Sequence, residues 1–125
     1  MNLLLDSHAL LWALIEPGKM TAEAVAEIQS PANAVFFSAA SVWELELKCA
    51  RGKLRLPADW LSAARKTGFT ELVADADSAA ASARLPWHHT DPFDRLLIAQ
   101  ALDKKFTFAT RDAAALLYAV PILKV

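Results

Sequence analysis

With a single cysteine, Cys49, in 125 residues, the chain has no internal disulfide framework and no zinc site built on several thiolates. Set among helix-forming residues, that cysteine reads as a packed small hydrophobe. Glycine is equally scarce. None of the three glycines lies in a phosphate cradle, so a P-loop is excluded, and no G-x-S-x-G elbow supports a serine hydrolase. There is no H-E-x-x-H, and neighbouring side chains such as His88 and His89 rarely aim at one ion, which leaves little for a zinc reading of His8, His88 and His89. No run approaches the roughly 18 apolar residues of a membrane span. The N-terminal Met1-Asn2-Leu3-Leu4-Leu5-Asp6 has no basic leader and too short an apolar stretch for a signal peptide, so a cytoplasmic location is expected. Charge of one sign is also missing, with 13 basic against 14 acidic residues and a net charge of −1. Wholesale electrostatic capture of nucleic acid is therefore unexpected, and a phosphate substrate would need a local cation.

What the chain has in excess is apolar content, 55% against a usual range of roughly 45 to 50%. Over residues 1–125 that predicts one domain with one real core, plus apolar surface reserved for a partner. Fully apolar Leu3 to Leu5 predicts a central parallel strand ending in a polar residue, Asp6. Helices are expected over His8 to Ile15, stopped by Pro17-Gly18, and over Thr21 to Gln29. Ala34 to Phe37 then predicts a strand and Ser38 to Ala50 a helix, in which Ser41-Val42-Trp43-Glu44 matches a capping box. Further on come a short helix, Ala58 to Lys66, a strand, Phe69 to Val73, and an alanine-rich helix, Ala74 to Ala83, capped by Asp75 or Asp77. Phe106 to Ala109 predicts a fourth strand, Ala113 to Tyr118 a last helix capped by Asp112, and Pro121-Ile122-Leu123 an edge strand. Alternating strands and helices predict an α/β fold, a parallel sheet with helices on both faces.

The stretch around which the rest is organised is Trp87-His88-His89-Thr90-Asp91-Pro92-Phe93-Asp94-Arg95-Leu96-Leu97-Ile98-Ala99-Gln100-Ala101. Asp at an N-cap followed by Pro at the first helical position is a strong helix start, and it makes Asp94 the third helical residue. Leu97, Ile98, Ala101 and Leu102 then mark a core-facing stripe with Asp94 at its head. A carboxylate there is costly unless something positive meets it. Taken alone, Asp91 and Asp94 could simply cap a helix and complement its dipole. Asp6 and Asp112, however, fall just past strand ends, and Glu44 and Asp94 in first turns of helices, so four distant acids can converge at one edge of the sheet. Four neighbouring carboxylates imply a divalent cation, and oxygen-only ligation points to Mg²⁺ or Mn²⁺. A phosphoacceptor receiver domain, also acidic and Mg²⁺-dependent, would carry adjacent acids after its first strand, where Asp6 stands alone.

Four blocks in order resemble the PIN domain, and within it the VapC-type toxins of bacterial toxin–antitoxin pairs. They are Leu4-Leu5-Asp6-Ser7-His8-Ala9-Leu10-Leu11-Trp12; Ser38-Ala39-Ala40-Ser41-Val42-Trp43-Glu44 with Lys48 and Gly52-Lys53-Leu54; His89 through Ala101; and Thr110-Arg111-Asp112. The resemblance implies a three-layer α/β/α sandwich and a metal-dependent endoribonuclease. Asp6, Glu44, Asp94 and Asp112 fall on the family's acidic quartet, both catalytic and metal-binding, with Asp91 a nearby extra acid. Position 7 is Ser where the family more often has Thr, and Ala113 to Ala115 follow Asp112 where bulkier residues are usual. Ser7 and Thr110 are candidates to position water or phosphate. Lys48 and Arg95 are candidates to contact the RNA backbone, although Lys48 can equally pair with Glu44 and Arg95 can be solvated, capping nothing. The implied partners are RNA, a cognate antitoxin on an acidic cleft rimmed by Trp12, Trp43 and Trp87, and a second copy of the chain. The rival reading is a PIN-like module that binds RNA or antitoxin without cutting.

Overall fold

The computed structural model describes all 125 residues. Five strands, β1 (Asn2–Leu5), β2 (Ala34–Ser38), β3 (Thr70–Leu72), β4 (Thr107–Thr110) and β5 (Ile122–Lys124), form one sheet in the order β3-β2-β1-β4-β5. Every pairing is parallel, with Leu5 opposite both Phe37 and Ala109. Leu3, Leu4 and Leu5 are completely buried because β1 is central and covered on both faces. The period of two along a strand sorts them: Leu3 and Leu5 pack with Val35, Phe37 and Ala109 on one face, and Leu4 packs with Phe108 on the other.

Six helices complete the two outer layers: α1 (Ser7–Ile15), α2 (Ala22–Gln29), α3 (Ala39–Ala50), α4 (Trp60–Lys66), α5 (Ala76–Arg84) and α6 (Pro92–Lys104). Ala9 and Leu10 of α1, Ala24 and Ile28 of α2, and Trp60 and Ala64 of α4 build the first core. Leu97, Ile98 and Ala101 of α6, with Ala40, Phe106 and Tyr118, build the second. The expected stripe on α6 is thus the one that packs. A buried polar tie crosses the second layer: the Ser38 hydroxyl donates to Gln100 Oε1 at 2.6 Å, and Gln100 Nε2 donates to the Val73 carbonyl at 2.9 Å.

Two local expectations are corrected and one alternative is decided. The cap of α3 is Ser38, whose hydroxyl accepts from the Ala40 N–H, because the helix begins where β2 ends. Ser41 therefore lies inside the helix, fully buried with its hydroxyl unpartnered, and Glu44 sits in the second turn rather than the first. The last helix is a 3-10 segment, Ala113–Leu117, closed by short-range bonds from Ala115 N–H to Asp112 O and from Tyr118 N–H to Ala115 O. Asp75 caps α5, with its carboxylate accepting from the Ser78 N–H at 2.8 Å, while Asp77 lies in the first turn.

Candidate active site at the carboxyl edge of the sheet

In a sheet of order 3-2-1-4-5 the connections leave β1 in opposite directions, which opens a crevice at the carboxyl ends of β1 and β4. Asp6 follows β1 directly and Asp112 follows β4 by two residues, so parallel pairing brings them to the same edge. Asp94 joins them from the first turn of α6. A cleft of about 330 Å³ is lined there by Asp6, His8, Trp12, Asp94, Arg111 and Asp112.

Each carboxylate is held by its own neighbourhood. Asp6 is buried; Oδ1 accepts from the Ala9 N–H at 2.7 Å as the cap of α1, and Oδ2 accepts from the Thr110 hydroxyl at 2.6 Å. The same Thr110 oxygen accepts from the Asp112 N–H at 3.1 Å, which links the ends of β1 and β4. Asp112 Oδ1 accepts from the Ala114 N–H at 2.9 Å. Glu44 stands behind this group, with Oε1 accepting from the Ser7 hydroxyl at 2.5 Å and Oε2 paired with Lys48 Nζ at 3.2 Å. Asp91 caps α6 by accepting from the Asp94 N–H at 3.0 Å, and it does not line the cleft.

The electrostatics follow from this crowding. Burial first, then the charges of Asp91 and Asp6, push the Asp94 carboxyl from 3.8 to about 7. Burial also raises Asp6, against the lowering effect of its Thr110 and Ala9 hydrogen bonds. His89 meets the cluster from the loop before α6. Its Nε2 lies 3.1 Å from Asp94 Oδ2 and in contact with Asp112 Oδ2. His89 Nδ1 accepts from the Asp91 N–H at 3.1 Å, so Nε2 carries the hydrogen and donates to both carboxylates. His89, Asp94 and Asp112 offer ligand-type atoms within 4.8 Å of one another. With its hydrogen on Nε2, however, the imidazole is a donor to the acids and not an open ligand. Besides the His8 imidazole, the donors facing the cleft are the carboxylate oxygens of Asp6, Asp94 and Asp112, a set that suits Mg²⁺ or Mn²⁺. Burial and neighbouring acidic charge raise both Asp6 and Asp94, a cost that a bound cation would offset.

Arg95 departs from expectation. It is 3% exposed, and Nη1 and Nη2 donate to the carbonyls of Ser82, Leu85, Pro86 and His89 at 2.7 to 3.0 Å. Two of these carbonyls belong to the carboxyl end of α5 or the residue after it, so Arg95 does cap a helix, from across the fold and along its dipole. Trp87, 68% exposed, lies with its ring 3.6 Å from the guanidinium carbon. The Tyr118 hydroxyl accepts from the His89 N–H and donates to the Pro86 carbonyl. Arg95 is thus a loop anchor rather than a solvated contact for RNA, and through this loop it places His89.

Of the expected rim, Trp12 alone lines the cleft. Trp43 packs edge-on against Phe93 at 5.0 Å, and Trp87 covers Arg95. The three histidines do not converge on one point: His8 lines the cleft 5.5 Å from the Trp12 ring, His88 lies against Tyr118, and His89 alone contacts carboxylate oxygens. Arg111 and His89 escaped sequence reasoning as site residues, although both stand inside blocks that were singled out.

The sequence profile of the PIN domain matches residues 3–121. Among solved structures, VapBC2 from Rickettsia felis bound to a DNA fragment from its promoter aligns with a TM-score of 0.72 at 13% identity, covering 98% of each chain. FitAcB from Neisseria gonorrhoeae aligns at 0.68 and 24% identity, over 98% of this chain and 96% of that one. VapBC-5 from Mycobacterium tuberculosis, a member of the VapBC family of toxin–antitoxin systems, aligns at 0.59 and 22%, over 99% and 98%. At these identities the likeness is one of fold. A comparison with curated proteins returns no match.

Proposed function

Because this chain belongs to the PIN domain family, we propose that it is a metal-dependent endoribonuclease, the toxin of a VapC-type toxin–antitoxin pair. The observation that supports this most is the meeting of Asp6, Asp94 and Asp112 in one cleft, with Asp94 raised to about 7 by burial first and by its acidic neighbours second. Asp6, Glu44, Asp94 and Asp112 would hold Mg²⁺ or Mn²⁺. Such an ion supplies acidification of water and stabilisation of the leaving oxygen, so that no side-chain base is needed.

The chain's own part is preorganisation. Ala9 N–H and the Thr110 hydroxyl orient Asp6, Ala114 N–H and His89 orient Asp112, and Ser7 and Lys48 orient Glu44. Ligands held by hydrogen bonds need little reorganisation when they meet a cation. Ser7 and Thr110 act in this reading through Glu44 and Asp6, and Lys48 offsets Glu44 rather than binding RNA.

The test is incubation of the purified protein with total RNA and Mg²⁺ or Mn²⁺, with EDTA and an Asp6→Asn variant as controls. Cleavage confined to the metal-containing parent supports the proposal. RNA bound but left intact with both metals would favour a non-catalytic module. The partner proposals are a small antitoxin over the active-site side and a homodimer. Co-expression with the neighbouring reading frame tests the first, which fails if the protein elutes alone and active. Light scattering showing only monomer at micromolar concentration would overturn the second.

A further inference from the structure

A cleft built from carboxylates repels a nucleic-acid backbone unless cations offset it, and most cations near this one are committed. Lys48 is paired with Glu44 at 3.2 Å, and Arg95 is buried among four carbonyls. Arg111 is different. It lines the cleft with Asp6, Asp94 and Asp112, yet forms no ion pair with any side-chain carboxylate. Its Nε donates to the backbone oxygen of Val125 at 2.9 Å, its Nη2 donates to the Lys19 carbonyl, and its Cζ lies 4.5 Å from the centre of the Trp12 ring. Two backbone oxygens and an aromatic face fix the guanidinium, and Nη1 has no protein partner. The near-zero net charge of the chain already called for a local cation if a phosphate were to bind.

We propose that Arg111, held against Trp12, binds the RNA backbone phosphate next to the scissile one. This rests on the nuclease reading of the site. The acids take the scissile phosphate through their cation, and the guanidinium fork takes its neighbour. A space of about 330 Å³ lies at the lower end of ordinary ligand pockets and suits about one nucleotide. Because the side chain is already pinned, binding requires little further ordering of a flexible arginine.

The experiment measures binding of fluorescein-labelled ten-nucleotide oligo-A, oligo-U and oligo-C RNA by anisotropy. All variants are made in an Asp6→Asn background with Mg²⁺, over a range of NaCl concentrations. Arg111→Gln should weaken all three RNAs alike, by about tenfold, and lower the slope of log Kd against log salt by about 0.7, the value for one single-strand phosphate. Arg111→Lys should keep the slope and lose less affinity. A purely structural role would lower the melting temperature of both variants and leave the slope unchanged. Affinity within twofold of the parent for Arg111→Gln, with the slope retained, overturns the inference. So does oligoglutamate of matched charge competing as well as RNA, since Arg111 would then serve acidic chains in general. With Asp6 intact, a parent that cleaves RNA and an Arg111→Gln variant with the same KM would sink the inference and leave the nuclease reading standing. A parent that neither binds nor cleaves RNA would sink both.

Discussion

Replacing Asp94 by Asn should stabilise the protein while removing its proposed function, because the parent carboxylate is held where its charge is unwelcome. The Asp94 carboxyl rises from 3.8 to about 7 on folding, through burial and through the charges of Asp91 and Asp6. Between these two pH values the native state binds a proton that the unfolded state does not, so stability falls as pH rises from 3.8 to about 7 and is flat above. The gap corresponds, at about 1.36 kcal/mol per pH unit, to on the order of 4 kcal/mol as an upper limit. Asn escapes that cost but weakens the hydrogen bond from His89 Nε2, a loss of about 1 to 2 kcal/mol. A net gain of about 2 kcal/mol at pH 8 in EDTA should raise the melting temperature by several degrees. The advantage should shrink by more than half at pH 5, where the parent carboxyl is protonated in the native state. Millimolar Mn²⁺ should raise the melting temperature of the parent and move the variant little. If Asp94 serves only the helix dipole, Asn loses a few tenths to about 1 kcal/mol and melts slightly lower at both pH values. A lower melting temperature for Asp94→Asn at pH 8 in EDTA, with an unchanged Mn²⁺ shift, would refute the clustered-acid account.

A metal entering the cleft must displace the Asp94 proton, so Mn²⁺ affinity measured by calorimetry should rise by up to about tenfold per pH unit from pH 5 to about 7 and level off above; a flat profile would remove Asp94 from the ligand set. Arg95→Met should cost about 3 to 5 kcal/mol in urea unfolding, because four carbonyls lose the one buried donor they share. A loss below about 1 kcal/mol would mean that the loop re-forms its bonds without Arg95. Ser38→Ala removes both the cap of α3 and the hydrogen on Gln100 Oε1, and should cost about 2 to 3 kcal/mol. Ser41→Ala, which removes an unpartnered hydroxyl, should be neutral or stabilising.

The architecture was legible because its signals are local. Three consecutive leucines ending in Asp6 specify a strand buried on both faces, and Asp91-Pro92 places the start of α6 to the residue. Ambiguity entered where two local signals competed. Ser38 and Ser41 both precede Glu44 at spacings that allow a helix start, and only the end of β2 decides between them. A polyalanine run after Asp112 carries no period of its own, and it settles into a 3-10 turn with Leu116 and Leu117 exposed. The roles of Arg95, His89 and Arg111 were illegible for a different reason. Arg95 works on the end of α5, His89 on an acid 23 residues away, and Arg111 on a carbonyl 92 residues away. No spacing in the sequence encodes such pairings before the fold exists.

Helix capping and the proposed metal binding are compatible roles for these acids, because each uses a different oxygen. Asp6 caps α1 with Oδ1 while Oδ2 meets Thr110, and Asp112 caps its 3-10 turn with Oδ1 while Oδ2 meets His89. In each case a backbone N–H anchors one oxygen and so aims the carboxylate, which a freely rotating side chain would not do. The helix that begins at the carboxyl edge of a parallel strand therefore supplies both the acid's position and the reason for an acid there. Asn keeps the capping oxygen and removes the charge, whereas Ala removes both. Asp→Asn at positions 6 and 112 thus keeps the cap while removing the charge, together with the His89 hydrogen bond at 112, whereas Asp→Ala adds loss of a cap of about 1 kcal/mol.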